Sequence, residues 1–327
     1  MLAKIRQNRS WAYIILFSFL VIISSMFLMA AQKAPKLVYV GSSSNTITAI
    51  DVNNGDIVAT ISVGDSPSAL AFTPDGSLLY VANSASNTIS VIDTIDNTVI
   101  DTVVISNGGA LQEMIVNSSG SFVYVANCVL NAVIVIDINS NSVVNEIGTG
   151  TCPVGVALSP NDSLLYVANS GSNDVSVIDT IGGTLVDTIT VGEFPIGIAV
   201  TPDGAKVYVS NGNSSTVSVI DTASNTVITN IIVGSGPDRL VITPNGKKVY
   251  VTSNANGTVS VINTNTNRVT DTVLVLLGTY GIAVSPNGNS IYIPNSGANV
   301  LSVIDTSKNS VEAIFGGFYA VGVAVKP

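Results

Sequence analysis

The chain has 327 residues, of which 46% are apolar and only 10% are charged, and it contains no histidine. The lack of histidine excludes functions that need an imidazole: histidine general bases, histidine-ligated zinc and histidine-ligated haem. Five of the 12 basic residues lie within positions 1–36, so residues 37–327 hold 7 basic against 21 acidic residues, an imbalance that argues against nucleic acid as a partner.

Residues 1–36 are predicted to be a signal-anchor segment. Lys4, Arg6 and Arg9 precede an uncharged stretch, 11–31, which as a helix would span roughly 31 Å and cross a membrane core. A cleaved signal peptide is the alternative, although its apolar part is usually only ~7–15 residues long. Both interpretations place the rest of the chain outside the cytoplasm, either tethered by one transmembrane helix or secreted.

The remainder of the chain, 37–327, is a sevenfold repeat. Its marker is an aromatic residue followed by valine or isoleucine, and the aromatic positions are Tyr39, Tyr80, Tyr124, Tyr166, Tyr208, Tyr250 and Tyr292. The intervals between them are 41, 44, 42, 42, 42 and 42 residues. A fixed period of this length is typical of supersecondary units that stack on one another.

One copy of the repeat predicts four short strands, at 196–201, 206–210, 216–221 and 226–232. A Pro-Asp-Gly turn separates the first two, and the third ends at an acidic residue that recurs in the repeat. That position is occupied by Asp51, Asp93, Asp137, Asp179, Asp221, Asn263 and Asp305. We expect it to accept hydrogen bonds from the backbone and start the next turn, and we expect the tyrosines to pack between units.

The two ends of the repeat region indicate a closed ring. Leu37–Gly41 is a second strand without its first, and Val321–Val325 is a first strand without its second. Because an open solenoid gains nothing from this offset, we predict that the two ends pair. The predicted fold is all-β, a seven-bladed β-propeller of four-stranded antiparallel blades over 37–327, preceded by one transmembrane helix.

The repeat resembles a known family. The elements YVAN and YVSN, the sequence VIDT, a Val-Gly-x-x-Pro link and TPDG are similar to the YVTN-type β-propeller repeats. That resemblance covers 37–327 and implies a role at the cell envelope or surface layer, since such repeats occur in archaeal surface-layer proteins and bacterial exported proteins. It implies no particular ligand, because the matching residues belong to the scaffold.

Positions that depart from the repeat are better candidates for function. One position at the start of each predicted innermost strand is occupied by Ala69, Glu113, Gly155, Gly197, Arg239, Gly281 and Gly322. Glu113 and Arg239 would lie almost opposite each other on a seven-bladed ring, and Gln112, Asp238 and Tyr280 are their polar neighbours. We predict a binding site for a small molecule or a peptide at this channel mouth. The alternative is that the two charged side chains are solvated at the rim.

The two cysteines are a second departure. Cys128 lies in a loop between second and third strands, and Cys152 lies in the link to the following blade, on the same face. In an exported protein this arrangement favours a disulfide, with two free thiols as the alternative. The 44-residue interval indicates that the blade of Cys128 is irregular.

Charge is unevenly distributed along the ring. Residues 37–205 contain 16 acidic and no basic residues, whereas residues 206–327 contain 7 basic and 5 acidic ones. The acidic half would suit divalent cations, a basic partner surface or a neighbouring copy of the chain.

The residues predict no catalytic group, metal site or cofactor. We therefore expect a non-catalytic binding or structural module of the cell surface, in contact with the membrane, other surface proteins or itself. Two alternatives are a lactonase-like enzyme that uses Glu113 and Arg239, and an envelope-assembly factor that binds strands by edge addition.

Overall fold

The computed structural model of the protein describes residues 36–42, 45–106, 109–317 and 321–327. The predicted anchor helix at 11–31 lies outside these residues and stays a prediction. Within the described part of the chain, no helix is long and apolar enough to cross a membrane. Leu37–Pro327 form one folded unit.

The described residues of this unit form 28 strands in seven sheets of four. The first blade contains β1 (Leu37–Gly41), β2 (Thr46–Asp51) and β3 (Asp56–Ser62). The second contains β4 (Pro67–Phe72), β5 (Leu78–Asn83), β6 (Thr88–Asp93) and β7 (Thr98–Val104). The third contains β8 (Leu111–Val116), β9 (Phe122–Asn127), β10 (Ala132–Asp137) and β11 (Ser142–Gly148), and the fourth contains β12 (Pro153–Leu158), β13 (Leu164–Asn169), β14 (Asp174–Asp179) and β15 (Thr184–Thr190).

The remaining blades repeat the pattern. The fifth contains β16 (Pro195–Val200), β17 (Lys206–Asn211), β18 (Thr216–Asp221) and β19 (Thr226–Ile232). The sixth contains β20 (Pro237–Ile242), β21 (Lys248–Ser253), β22 (Thr258–Asn263) and β23 (Arg268–Leu274). The seventh contains β24 (Ala283–Val284), β25 (Ser290–Asn295), β26 (Val300–Asp305) and β27 (Ser310–Gly316), and β28 (Gly322–Val325) ends the chain. The seven-bladed propeller of antiparallel four-stranded meanders is confirmed, and in the fifth blade the strands agree with those predicted to within one residue.

The two ends of this unit pair with each other. β28 is the innermost strand of the first blade and runs antiparallel to β1, with Val38 opposite Val325 and Gly41 opposite Gly322. The strand begins one residue later than predicted, although the amide of Val321 still donates to the carbonyl of Gly41 over 2.9 Å. The ladder between β1 and β28 therefore closes the ring.

The repeated tyrosines lie between blades, as predicted. All seven are at most 5% exposed. The Tyr39 hydroxyl donates to Asn97 Oδ1 over 2.6 Å and the Tyr250 hydroxyl to Asn309 Oδ1 over 2.7 Å, and each acceptor lies in a turn of the next blade. Each such tyrosine fills the space between two sheets and also joins them by a hydrogen bond.

The repeated acidic position starts the turn between third and fourth strands. Asp93 Oδ1 accepts the amide of Ile95 over 2.7 Å, and Asn263 Oδ1 accepts the amide of Asn265 over 3.0 Å. The residue is therefore part of the scaffold, which confirms the sequence interpretation.

The extra length in the 44-residue interval lies outside the third blade, which contains Cys128. The link from β7 to β8 covers 105–110, whereas the link from β11 to β12 covers only 149–152. Because the third blade itself has strands of the usual length, the expectation of an irregular blade around Cys128 was wrong.

Candidate functional site at the channel mouth

The meander gives the ring two distinct faces. First strands begin, second strands end and third strands begin at one end of every blade. We call this end the mouth face and the other end the opposite face. The loops that join second to third strands and the links between blades all lie on the mouth face.

A β-bulge positions the predicted site residues on this face. In the third blade Leu111 pairs with Asn127 and Met114 with Val125, so Gln112 and Glu113 together lie opposite one residue of β9. The sixth blade has the same irregularity at Asp238 and Arg239. A bulge places an extra residue in one strand and changes the direction of its side chains, and here the affected residues lie beside the central channel.

Glu113 and Arg239 contact each other across the channel. Arg239 Nη1 lies 3.1 Å from Glu113 Oε2, and Arg239 Nε lies 3.8 Å from Asp238 Oδ1. The side chains of Arg239 and Glu113 are 19% and 35% exposed. One guanidinium lies between two carboxylates, so the cluster carries one excess negative charge when both carboxylates are ionised.

Small residues make this contact possible. A Cβ added to Gly155 would lie 2.2 Å from the carbonyl oxygen of Ile196 and 3.2 Å from Glu113 Oε2. A Cβ added to Gly197 would lie 2.6 Å from the carbonyl oxygen of Asp238. The glycines of the fourth and fifth blades therefore let the innermost strands approach closely enough for the long side chains to meet above them.

Burial opposes the charge on both carboxylates. It raises the pKa of Glu113, and the guanidinium of Arg239 lowers this pKa in part, while the charge of Asp238 raises it further. Burial also raises the pKa of Asp238, again with Arg239 acting in the opposite direction. A single guanidinium therefore balances only part of the charge that the fold places at this site.

A cavity of about 690 Å³ lies above the ion pair. Gln112, Asp238, Arg239 and Tyr280 line it together with the side chain of Phe194. Four of the five predicted site residues thus share one cavity. Glu113 lines a second, smaller space of about 130 Å³ deeper in the channel, which it shares with Arg239 and Tyr280.

The apolar part of the cavity was not among the predicted site residues. Val154, Phe194, Ile196 and Val321 contribute to its wall, and Phe194 is 44% exposed. Phe194 occupies the position held by Ser66, Cys152 and Gly236 in other copies. It is therefore a departure from the repeat of the same kind as Arg239, and the same comparison would have identified it.

Tyr280 reaches the cavity because the first strand of the seventh blade is short. This strand has only Ala283 and Val284, plus an isolated bridge between Thr279 and Asn295. Pro294 stands in the neighbouring strand, where it has no amide hydrogen to donate, and a Cβ on Gly281 would lie 3.0 Å from its ring. Tyr280 is consequently 52% exposed.

The two cysteines are joined, as predicted. Cys128 in the loop after β9 forms a disulfide with Cys152 in the link before β12. No described cysteine is free. The bridge connects the third blade to the fourth on the mouth face, and Cys152 is part of the cavity wall.

The basic residues are unevenly distributed between the two faces of the ring. Among the described residues Arg239 is the one basic residue on the mouth face, where Asp65, Asp174 and Glu193 also lie. On the opposite face, Lys206 Nζ donates to the carbonyl of Thr264 over 2.7 Å, so this basic residue joins neighbouring blades. The described residues contain no group of three or more cysteine or acidic side chains arranged to hold a metal ion.

Comparison with known proteins identifies the fold. A family model described as YNCE-like beta-propeller matches residues 24–187 and 195–316. This agrees with a β-propeller repeat family, whereas the finer resemblance to YVTN and surface-layer repeats stays a prediction. No curated protein matches the chain.

Several solved structures are similar to the chain at low sequence identity. Hydrazine synthase of Kuenenia stuttgartiensis is 22% identical, with a TM-score of 0.75 over 83% of this chain and 93% of that chain. A functionally unknown protein from Desulfotomaculum acetoxidans is 21% identical, with a TM-score of 0.78 over 89% and 98%. A putative 6-phosphogluconolactonase from Bacteroides fragilis is 15% identical, with a TM-score of 0.76 over 90% and 99%. At these identities the similarity extends to the fold alone.

Proposed function

The chain belongs to the family of YNCE-like beta-propellers, and on that premise we propose that it is an exported, membrane-tethered and non-catalytic binding module that takes its ligand at the channel mouth. One observation carries the proposal. One cavity is lined by residues that depart from the repeat, namely Gln112, Asp238, Arg239, Tyr280 and Phe194. The tyrosines and aspartates that recur in the repeat belong to the scaffold.

The size of the cavity supports a small ligand. Pockets for small molecules usually have volumes of ~300–1,000 Å³, and their walls are mainly apolar with a few polar groups. The mouth cavity, at about 690 Å³, lies in this range and combines apolar side chains with one charged cluster. A propeller is suited to this task because its rigid ring supports residues from several blades around one axis.

The disulfide supports an extracytoplasmic location. Disulfides persist in oxidising compartments and are rare in the cytosol, and Cys128 and Cys152 are bridged. The uncharged stretch at 11–31 provides the tether in this proposal, and the resemblance to YVTN repeats favours the cell surface or envelope. Other surface proteins, or further copies of the chain, would be its neighbours there.

The location can be tested by cell fractionation combined with external protease. We expect the full-length protein in the membrane fraction, and we expect external protease to release or digest the propeller while the cells are intact. A cytoplasmic control protein should survive the same treatment until the cells are lysed. Recovery of the chain in the soluble cytoplasmic fraction would refute both the tether and the export.

The binding function can be tested with a metabolite library and the purified full-length protein. The increase in the midpoint of thermal unfolding that a ligand causes should change clearly in the variant Glu113→Gln/Arg239→Gln, in which two amides replace the ion pair. A matched variant, Asp65→Asn, changes charge on the same face outside the cavity and should retain binding. If the double variant binds every ligand as the parent does, the channel mouth is not the site.

The same experiment distinguishes a binding module from an enzyme. We expect the bound compound to be recovered chemically unchanged, as judged by mass spectrometry after prolonged incubation. Hydrolysis of a lactone that depends on Glu113 would instead support the lactonase-like alternative. The ion pair argues against that alternative. A general base must accept a proton, and the Glu113 carboxylate that would do so is already paired with the guanidinium of Arg239.

A further inference from the structure

We infer that the ligand of the channel mouth is a small organic cation, with one ammonium group and an apolar body. This inference rests on the proposed binding function and assigns the chemical class of its ligand. It follows from the charge, the aromatic side chains and the electrostatic surroundings of the cavity.

The floor of the cavity holds more acidic than basic side chains. Arg239 lies 3.1 Å from Glu113 and 3.8 Å from Asp238, so two carboxylates share one guanidinium. The Asp238 side chain is only 14% exposed. A partly buried carboxylate without full compensation is costly, and a cation that binds beside it removes part of that cost. An anionic ligand would have to compete with two carboxylates for the same guanidinium.

The wall of the cavity contains two aromatic side chains. Phe194 and Tyr280 line the cavity with exposed aromatic rings, 44% and 52% exposed, although neither is required by the repeat. An ammonium group is attracted to the face of an aromatic ring, and quaternary ammonium ions are recognised in this way. Val154 and Ile196 add aliphatic surface that would cover the rest of an apolar body.

The surface around the cavity also favours the approach of a cation. Arg239 is the one basic residue among the described residues of the mouth face, and it is held by Glu113. The exposed acids Asp65 and Glu193 lie on the same face. A surface of one sign concentrates ligands of the other sign, so the mouth attracts cations and repels anions.

The test uses three probes of related shape and different charge: benzyltrimethylammonium, benzyl alcohol and phenylacetate. Binding to the full-length protein in a non-ionic detergent is measured by isothermal titration calorimetry. We expect benzyltrimethylammonium to bind about tenfold or more tightly than the other two probes. Tyr280→Leu should weaken it by about threefold to tenfold, because an apolar side chain is retained while the aromatic face is lost.

Two charge variants should act in opposite directions. Asp238→Asn should weaken the binding of benzyltrimethylammonium by about tenfold, whereas Arg239→Gln, which leaves the carboxylates without their guanidinium, should tighten it. The control Asp65→Asn makes the same change in net charge as Asp238→Asn outside the cavity and should alter the affinity by less than about twofold. Thermal unfolding of each variant identifies any that has lost its fold, and Asp238→Asn alone is sufficient to decide the question.

The possible results separate this inference from the function on which it rests. Preferential binding of phenylacetate that is lost in Arg239→Gln would overturn the cation assignment and leave the binding function at the mouth intact. Failure of all three probes would also overturn the assignment, and the metabolite library would still judge the function. Cation binding that is unchanged in Asp238→Asn and Tyr280→Leu would place the ligand elsewhere and overturn both.

Discussion

Removing the disulfide should destabilise the propeller by an amount that the sequence separation predicts. Cys128 and Cys152 are 24 residues apart and join two successive blades. For a closed loop of this length, the loss of chain entropy in the unfolded state gives about 3.5 kcal/mol of stabilisation at 25 °C. The variant Cys128→Ser/Cys152→Ser should lose this amount. Serine is compatible with both positions, because Ser84 and Ser66 occupy the aligned positions in other copies.

The measurement is urea-induced unfolding of the full-length protein, followed by tyrosine fluorescence and by far-ultraviolet circular dichroism. Coincident transitions allow a free energy of unfolding to be extracted from each curve. The parent protein treated with a reducing agent should unfold at the same urea concentration as the double variant. A loss below about 1 kcal/mol would refute the entropic argument, and alkylation of both thiols in the unreduced protein would refute the bridge itself.

Three further predictions concern the scaffold. Gly155→Ala should lower the free energy of unfolding by about 1–3 kcal/mol, because its Cβ would lie 2.2 Å from a backbone oxygen of the next blade. The control Gly148→Ala, whose Cβ meets nothing within 4 Å, should lower it much less in the same urea assay. Hydrogen bonds, first that of a threonine hydroxyl, lower the pKa of Asp75 from 3.8 to about 2. Its contribution to stability is therefore present above pH ~4 and is lost as the pH falls towards 2. Asp75→Asn should flatten the dependence of unfolding on pH in that window; an unchanged slope would contradict this. Tyr250→Phe should lower the free energy of unfolding by about 1 kcal/mol, because it removes a hydrogen bond between blades. Tyr166→Phe should lower it less, since the described residues provide no such bond there. Equal losses would show that the hydrogen bond adds nothing to the stability that packing provides.

Periodicity made the fold predictable from the sequence. A 42-residue period with alternating apolar residues leaves little choice of architecture, and the offset between Leu37–Gly41 and Val321–Val325 indicated how the ring closes. Strand bounds followed from local turn chemistry, since the repeated aspartates and asparagines end the third strands. These features depend on short stretches of chain, which is why the pattern of residues was sufficient.

The candidate site was only partly predictable. Comparison of the copies identified Glu113 and Arg239, but their contact depends on the width of the channel, which no local pattern encodes. It also depends on a bulge that recurs in the first strands of the second to sixth blades. The exposure of Tyr280 depends on Pro294, which shortens the pairing in another strand. The apolar wall was missed because Phe194 lies in a link between blades, and only a comparison of the links shows that it replaces the smaller Ser66, Cys152 and Gly236 of other copies.

The pairing of β1 with β28 has a consequence for biosynthesis. The pairing of β1 must wait for β28, so the circle closes only after residue 325 has been synthesised. At roughly 5–20 residues per second, this interval lasts on the order of 15–60 s. During that time the apolar edge of β1 is open to other chains, and pairing between such distant segments is intrinsically slow. The period of greatest risk of aggregation therefore falls before closure, and a chaperone that covers the edge of β1 would be needed only then.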